Sequence, residues 1–330
     1  MKINKLVLAT LLALCGHAGV VLAAPRVVVS PYKFLPVNPA PGHAIGAPDG
    51  TPYLAGKPAA LTWAFATGEC GSEAWRDQSG VDVAAANVAA FAGAGVDYVI
   101  STGGQGGVFT CASDAAMERF IARYDSKHLA GIDFDIEAGQ TKAQIVSMVQ
   151  RAATAQRKRP GLRFSFTVGT HAASDGSRRS LNALGESILA AVRASTLRDW
   201  TFNLMVMDYG PPAADVCVLR GDVCDMGKSA VQAVRNVHGK YGIPLAQIEV
   251  TPMIGVNDVP LNDFTLDDAR MLGAAAREMG LAGLHWWSLD RDQPCKVPVQ
   301  GASDRCSGMD GPAGAFDAAF RAGFGGKPRQ

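Results

Sequence analysis

Eight short β-rich runs recur along this 330-residue chain at fairly even spacing, at 26–29, 60–66, 98–101, 131–136, 163–168, 202–207, 248–253 and 283–287. Between most of them lie Ala-rich segments whose apolar residues repeat with helical period. The segment 141–158 opens with Thr141 and Gln144, the pair that makes a capping box. It then places Ile145, Met148, Val149 and Ala152 on one face. Leu181, Leu184, Ile188, Leu189 and Val192 form a similar stripe. The segment 265–279 begins with Asp267 and Asp268 and stops at Gly280, as helix start and stop preferences require. Strands alternating with helices give a parallel sheet, and eight such strands close into a barrel. The length suits a (β/α)8 TIM barrel, which runs to roughly 250 residues and more with insertions. The Pro/Gly-rich stretch 36–57 reads as a long loop after the first strand. No linker or appended module interrupts the pattern, so 24–330 is expected to be one α/β domain.

The run Asp133-Phe134-Asp135-Ile136-Glu137 ends the fourth strand. Residues i, i+2 and i+4 of a strand share a face. Asp133, Asp135 and Glu137 therefore line up on one side, with Ile132, Phe134 and Ile136 on the other. Neighbours two apart on one strand face lie roughly 6.5 to 7 Å apart at Cα, close enough for their carboxyl groups to interact. Three carboxylates in a partly desolvated row repel one another. A fold does not need such a row, whereas a site that keeps one carboxylic acid protonated near neutral pH does. In a barrel of this kind the active site lies at the carboxyl ends of the strands. Ser101-Thr102-Gly103-Gly104 ends the third strand, Asp208-Tyr209 the sixth and Trp287 the eighth. These ends are expected to converge with the carboxylates on one rim.

The N-terminus carries a basic start, Met1 to Lys5, an apolar run from Leu6 to Leu14, and small residues at a cleavage position ending at Ala23. That is the pattern of a secretory signal peptide over 1–23. A lipoprotein cut before Cys15 is disfavoured because bulky Leu14 stands where a small residue is wanted. No other stretch is long and apolar enough to span a bilayer. Six cysteines then remain, and an even count in an exported chain favours disulfides. Fifteen pairings are open; the local pairs Cys217–Cys224 and Cys295–Cys306 are favoured, which leaves Cys70 with Cys111. No CxxC occurs and no His sits at ligand spacing beside a Cys, so no metal site is expected. A calcium site would draw its oxygens from a flexible loop rather than one strand. The formal net charge is +1 with no basic stripe, which argues against nucleic acid as partner. There is no GxSxG, Walker loop or zinc-protease motif, and Phe109 breaks the glycine run from Gly103 as a dinucleotide fingerprint.

The stretch from Ala130 to Glu137 resembles the DxxDxDxE signature of family-18 glycoside hydrolases, the chitinase family. Ser101 to Gly104 is similar to that family's SxGG strand, and 203–210 to the bacterial MxMDYG form of the sixth strand. The runs Thr251 to Asp258 and Trp286 to Asp292 also resemble bacterial chitinase sequences. The resemblance covers nearly the whole chain after the signal peptide. Two positions depart from it. The first Asp of the signature is Ala130, at a position that is structural in the family. The common pattern has Tyr just before the sixth-strand Asp, where this chain has Met207, with Tyr209 after Asp208.

The resemblance implies a chitinase with a single catalytic domain and no cofactor, acting on chitin or chito-oligosaccharides; the signal peptide implies that it is secreted, and a monomer is the default expectation. Its family hydrolyses with retention by substrate assistance and is an exception to the two-carboxylate scheme. Glu137 would be the general acid and later the base. Asp135 would hydrogen-bond the acetamido N–H, and Asp133 would share a proton with Asp135. Asp208 and Tyr209 would hold the same acetamido group. Trp287 would be the apolar floor beneath the sugar. Trp75 and Trp286 are candidates for flanking subsites, Ser101, Gly103 and Gly104 for substrate binding at the end of the third strand, with close packing near the site as their other reading, and Met205 and Met207 for the pocket wall. The short interval between the seventh and eighth strands implies an open cleft and endo-acting cleavage. An endo-β-N-acetylglucosaminidase acting on N-glycans, or a non-catalytic chitin-binding lectin on the same barrel, are the alternatives.

Overall fold

The computed structural model describes residues 27–38, 44–47, 49–56, 58 and 60–325. The signal-peptide reading over 1–23, Cys15 included, lies outside the described residues. Eight parallel strands form a closed barrel: β1 (Val28–Phe34), β2 (Ala60–Ala66), β3 (Asp97–Gly103), β4 (Leu129–Asp135), β5 (Arg163–Gly169), β6 (Trp200–Met205), β7 (Ile248–Thr251) and β8 (Gly283–Trp286). Each overlaps one of the eight expected runs, β1 by only two residues because it runs on to Phe34, and β1 pairs with both β2 and β8 to close the ring. Six helices follow β2 to β7: α1 (Gly80–Ala94), α2 (Asp114–Arg123), α3 (Lys142–Lys158), α4 (Ala183–Ala194), α5 (Met226–Tyr241) and α6 (Leu266–Met279). A seventh, α7 (Ala315–Gly325), follows β8. The described part of the β1–β2 connection holds only short 3-10 turns, at Leu35–Val37 and Tyr53–Gly56.

The helix signals act as read. Thr141 and Gln144 close a reciprocal capping box on α3, and Ile145, Met148, Val149 and Ala152 are its buried face. Thr265 and Asp268 do the same for α6, which stops at Gly280 in the left-handed conformation, φ 67°. That α6 and α7 cross closely follows from two missing side chains. A Cβ on Gly273 would lie 2.4 Å from the Phe320 carbonyl oxygen, and one on Gly323 2.1 Å from that of Arg270. The three disulfides Cys70–Cys111, Cys217–Cys224 and Cys295–Cys306 are all present. Two of them staple loops, 217–224 and 295–306.

The outward strand residues pack against the helices as one continuous apolar layer that includes Phe134, Phe164, Phe166 and Phe202. The barrel interior is polar instead. At its amino-terminal end Arg163 on β5 forms a buried ion pair with Glu249 on β7 at 2.7 Å, and His285 on β8 lies 3.3 Å from the same carboxylate. Burial works to raise the Glu249 pKa, but the Arg163 charge and His285 pull it down to about 2. A carboxylate held below its ordinary pKa of about 4.3 stabilises the fold above that pH, and the contribution is lost as pH falls toward the folded value. Glu249→Gln is expected to cost about 3–5 kcal/mol at pH 7, because it strands a buried guanidinium. Urea unfolding at pH 7 checks this. The gap between wild type and variant should shrink when the titration is repeated below pH 4.

Candidate active site

β4 is flanked by β3 and β5, and its register places Ser101 and Ser165 level with Asp133. All three point into the barrel. Asp133 is buried and accepts four hydroxyl hydrogen bonds. Oδ1 takes those of Ser165 at 2.7 Å and Thr167 at 2.8 Å; Oδ2 takes those of Ser101 at 2.6 Å and Tyr32 at 2.9 Å. A carboxylate offers about four acceptor positions, so this one is full. A second row of donors fixes the first. Asn203 on β6 gives one N–H to the Tyr32 hydroxyl at 3.0 Å and the other to Thr167 Oγ1 at 2.8 Å, while its own oxygen accepts from Thr251 on β7 at 2.8 Å. Burial still pushes the Asp133 pKa up, against the pull of the hydroxyls.

Asp135, one layer higher, is treated differently. It is buried, and its Oδ1 finds no hydrogen-bond partner. Burial first, then the charges of Glu137 and Asp133, push its pKa far above the ordinary range. The expected sharing of a proton between Asp133 and Asp135 therefore meets no free acceptor position on Asp133. Hydroxyls pull the Asp133 pKa back down, whereas no hydrogen bond offsets burial and like charge at Asp135. Glu137, two residues on, is partly exposed at the mouth. Its pKa is also raised, by burial and then by the charge of Asp208.

These carboxyl groups open into a cavity of about 350 Å³ to which every barrel strand or its trailing loop contributes. Trp287 lies on one side and stacks on Phe65, centroids 5.6 Å apart at 14°. Phe34 and Tyr32 stand at the edges of this panel, with centroids 5.6 and 6.3 Å from the indole. The peptide bonds Ala64–Phe65 and Trp287–Ser288 are cis. Met205, Met207 and Met253 form an apolar wall, and Asp208, Asp258 and Arg291 complete the rim.

The expected strand ends converge, with corrections. Tyr209 does not reach the cavity: it is buried in the apolar core and its hydroxyl has no partner. Strict alternation would aim Met207 and Tyr209 the same way. Asp208 adopts φ 46°, which breaks the alternation, so Asp208 rather than Tyr209 faces the cavity. Trp286 is wholly buried against Phe320 of α7, centroids 4.9 Å apart, as its opposite parity to Trp287 demands. Trp75 is buried too and donates its indole N–H to Tyr124 at 2.7 Å. Neither can serve a sugar subsite. Gly103 and Gly104 are not in the lining, where Gln105 stands instead. Gly103 has φ 87°, and a Cβ there would come within 2.1 Å of the Asp135 carbonyl oxygen. It lets β3 approach the carboxylate strand closely. Ala130 lies at the opposite end of β4, in a separate cavity with Val28, Ala60 and Asp97.

Several site residues escaped the sequence reading. Tyr32 and Phe65 occur in no motif, and Asn203 and Arg291 lie in runs that resemble bacterial chitinases, but the resemblance assigns them no role there. Ser165 and Thr167 did carry a signal, since Arg163, Ser165 and Thr167 alternate with Phe164, Phe166 and Val168 in a strand with two buried faces. Among the described residues one group of potential metal ligands comes together, Glu69, Cys70 and Cys111, and its sulfurs are joined in a disulfide.

No family model matches the chain. Among curated proteins it is 29% identical over 220 residues to a probable bifunctional chitinase/lysozyme of Escherichia coli (strain K12), covering 61% of this chain and 24% of that protein. It is 28% identical over 227 residues to endochitinase 11 of Metarhizium anisopliae, covering 62% of this chain and 41% of that protein. The chain thus spans less than half the length of these curated relatives. Among solved structures it matches the catalytic domain of a hyperthermophilic chitinase from Pyrococcus furiosus, with TM-score 0.70 and 23% identity over 92% of this chain and 98% of that one. A catalytic-site mutant of active domain 2 of that organism's thermostable chitinase, solved with chito-oligosaccharides, matches with TM-score 0.70 and 23% identity over 93% and 98%. At that identity the structural likeness establishes the shared barrel.

An acid whose pKa is raised on folding favours the fold at low pH, and that contribution is lost as pH rises from the ordinary aspartate pKa toward the folded one. Asp135→Asn is therefore expected to become steadily more stable than wild type above pH 4, by about 1.4 kcal/mol for each pH unit between the two pKa values. Thermal melts of both proteins from pH 4 to pH 8 test it; parallel curves would show that Asp135 is not the protonated member.

Proposed function

We propose that the chain is a family-18 glycoside hydrolase, a chitinase that cleaves β-1,4 bonds between N-acetylglucosamine units with retention. The observation that carries this reading is the division of labour among three carboxyl groups on one strand. Asp133 is saturated by hydroxyls, Asp135 has a free oxygen and a raised pKa, and Glu137 stands at the cavity mouth with a raised pKa. The two curated relatives are chitinases by name, which supports the same substrate class.

Each group then has a task. Glycosidic cleavage needs a proton delivered to a poor leaving group, and Glu137 is placed to supply it, its pKa raised by burial and then by the Asp208 charge. Asp135, beside it in the cavity, accepts the acetamido N–H of the sugar whose own carbonyl oxygen attacks the anomeric carbon. The free oxygen of Asp135, by accepting that N–H, stabilises the positive oxazolinium that forms. Asp208 holds the other side of the acetamido group, without help from Tyr209. Trp287, backed by Phe65, offers a flat apolar floor for the C–H face of the sugar. Glu137 then takes a proton from the water that opens the ring. Met207 and Met205 shape the wall against the acetamido methyl.

The connection from β7 to β8 contains one helix, α6, and no further domain. That leaves the cleft open and supports endo-acting cleavage. Three disulfides, and the lack among the described residues of a helix long and apolar enough to cross a membrane, support export. We take 1–23 as the signal peptide and 24–330 as the catalytic barrel.

Hydrolysis of a tetramer of N-acetylglucosamine is the direct test. Wild type should cleave it with the β anomer formed first, read by proton NMR, and Glu137→Gln should lose roughly 10²–10⁴-fold in kcat. Release of dimers progressively from one end of a longer chain would refute endo action. An inert wild type would overturn the chitinase reading.

A further inference from the structure

Arg291 has no part in the chemistry above, yet its side chain lines the cavity from a position with no solvent exposure. A buried guanidinium is costly unless its donors are satisfied. Here they go to backbone carbonyls. Nη2 donates to Ile254 at 2.9 Å and to Val256 at 2.5 Å, Nε donates to Ile254 at 3.3 Å, and Nη1 donates to Ser303. One side chain thus clamps two segments of the cavity wall, the chain leaving β7 and the disulfide loop 295–306. The first segment runs directly into the groups that hold Asp208. The Asp208 N–H donates to Asn257 Oδ1 at 3.4 Å, and the Val259 N–H donates to Asp208 Oδ1 at 2.8 Å. Asn257 is tied in turn to the carbonyls of Met253 and Gly255, at 2.9 and 3.0 Å.

We propose that Arg291 is a positioning residue: its guanidinium fixes the segment 254–259 so that this segment's backbone holds the Asp208 carboxylate in the cavity beside Glu137. The inference rests on the roles given above to Asp208 and Glu137. A planar fork of donors serving three carbonyls from one buried point is a task for arginine, not merely for any side chain of its volume. The charged groups facing Asp208 are Glu137 across the cavity, Asp258 on the clamped segment and Arg291 from the chain after β8. Burial raises the Asp208 pKa, the Val259 N–H lowers it, the Asp258 charge raises it and the Arg291 charge lowers it. Loss of the guanidinium both frees the segment and makes Asp208 harder to ionise. Loss of the Asp258 charge makes it easier.

The test uses Arg291→Met, Arg291→Lys and Asp258→Asn, with two readouts. One is the carbon-13 NMR titration of the Asp208 carboxyl, assigned by its disappearance in Asp208→Asn. The other is the pH profile of kcat/KM on the tetramer. The Asp208 titration and the acid limb should both move to higher pH in Arg291→Met, by less in Arg291→Lys, and to lower pH in Asp258→Asn. Arg291→Met should lose roughly tenfold in kcat/KM at the acid end, with kcat falling more than KM rises. Added to Asp208→Asn, it should move the acid limb no further. A folding defect cannot shift one titration in opposite directions in two variants. If Arg291→Met does not fold, Arg291→Lys against Asp258→Asn decides the matter. An Asp208 titration unmoved in the folded Arg291 variants, or moved the same way in Asp258→Asn, would overturn the inference. A wild type that cleaves nothing would sink the proposed function, while the NMR titration would still decide the role of Arg291.

Discussion

An anion enclosed by four hydroxyls is the constraint on which the rest of this barrel depends. Asp133 can stay charged in the interior only if β1, β3 and β5 each bring a hydroxyl to the same level as β4. That condition fixes the strand register around half the ring. It also explains why Asn203 and Thr251 complete the circuit, since a Tyr or Thr hydroxyl that donates to the carboxylate still needs a donor for its own oxygen. The site chemistry follows from this saturation. With Asp133 solvated by hydroxyls rather than paired with a cation, its charge still reaches Asp135, and Asp135 has no hydroxyls of its own to offset it.

The barrel interior therefore carries a gradient of satisfaction along its axis. At the amino-terminal end the charges are paired, Arg163 with Glu249. In the middle one charge is solvated by neutral donors. At the carboxyl-terminal end Asp135 is left partly unpartnered and Glu137 opposes Asp208. A buried polar group without its partner is a standing cost to stability. At Asp135 that cost falls in the layer that opens into the cavity, where a ligand can supply the missing partner.

The fold was legible because it depends on period and punctuation. Eight runs, the capping boxes at Thr141 and Thr265 and the stop at Gly280 are local signals, and tertiary packing did not overrule them. Two of the disulfides followed from sequence proximity, and Cys70–Cys111, 41 residues apart, followed only by elimination. Parts of the site were legible for the same reason: the carboxylate column is a two-residue period, and Trp287 ends a strand. What failed was anything decided by a single dihedral or by parity between neighbours. With the φ of Asp208, that residue faces the cavity while Tyr209, expected beside it, turns into the core, and Trp286 and Trp75 turn inward to Phe320 and Tyr124. Tyr32, Asn203 and Arg291 were invisible because their partners lie far away in sequence. Nothing local distinguishes a tyrosine that closes a hydrogen-bond circuit across the barrel from one that fills the core.

The loop closed by Cys295 and Cys306 supplies Ala302, Ser303 and Asp304 to the cavity. A covalent tie across a short loop removes most of that segment's freedom before any ligand arrives. The entropy of arranging this wall is spent once, during oxidative folding, rather than at every binding event. Residues within the loop whose side chains face solvent, such as Val297 and Val299, are released from any duty to hold its shape. The position of this wall is set by the Cys295–Cys306 bond and by the Arg291 hydrogen bond to Ser303, not by the exposed valines between the two sulfurs.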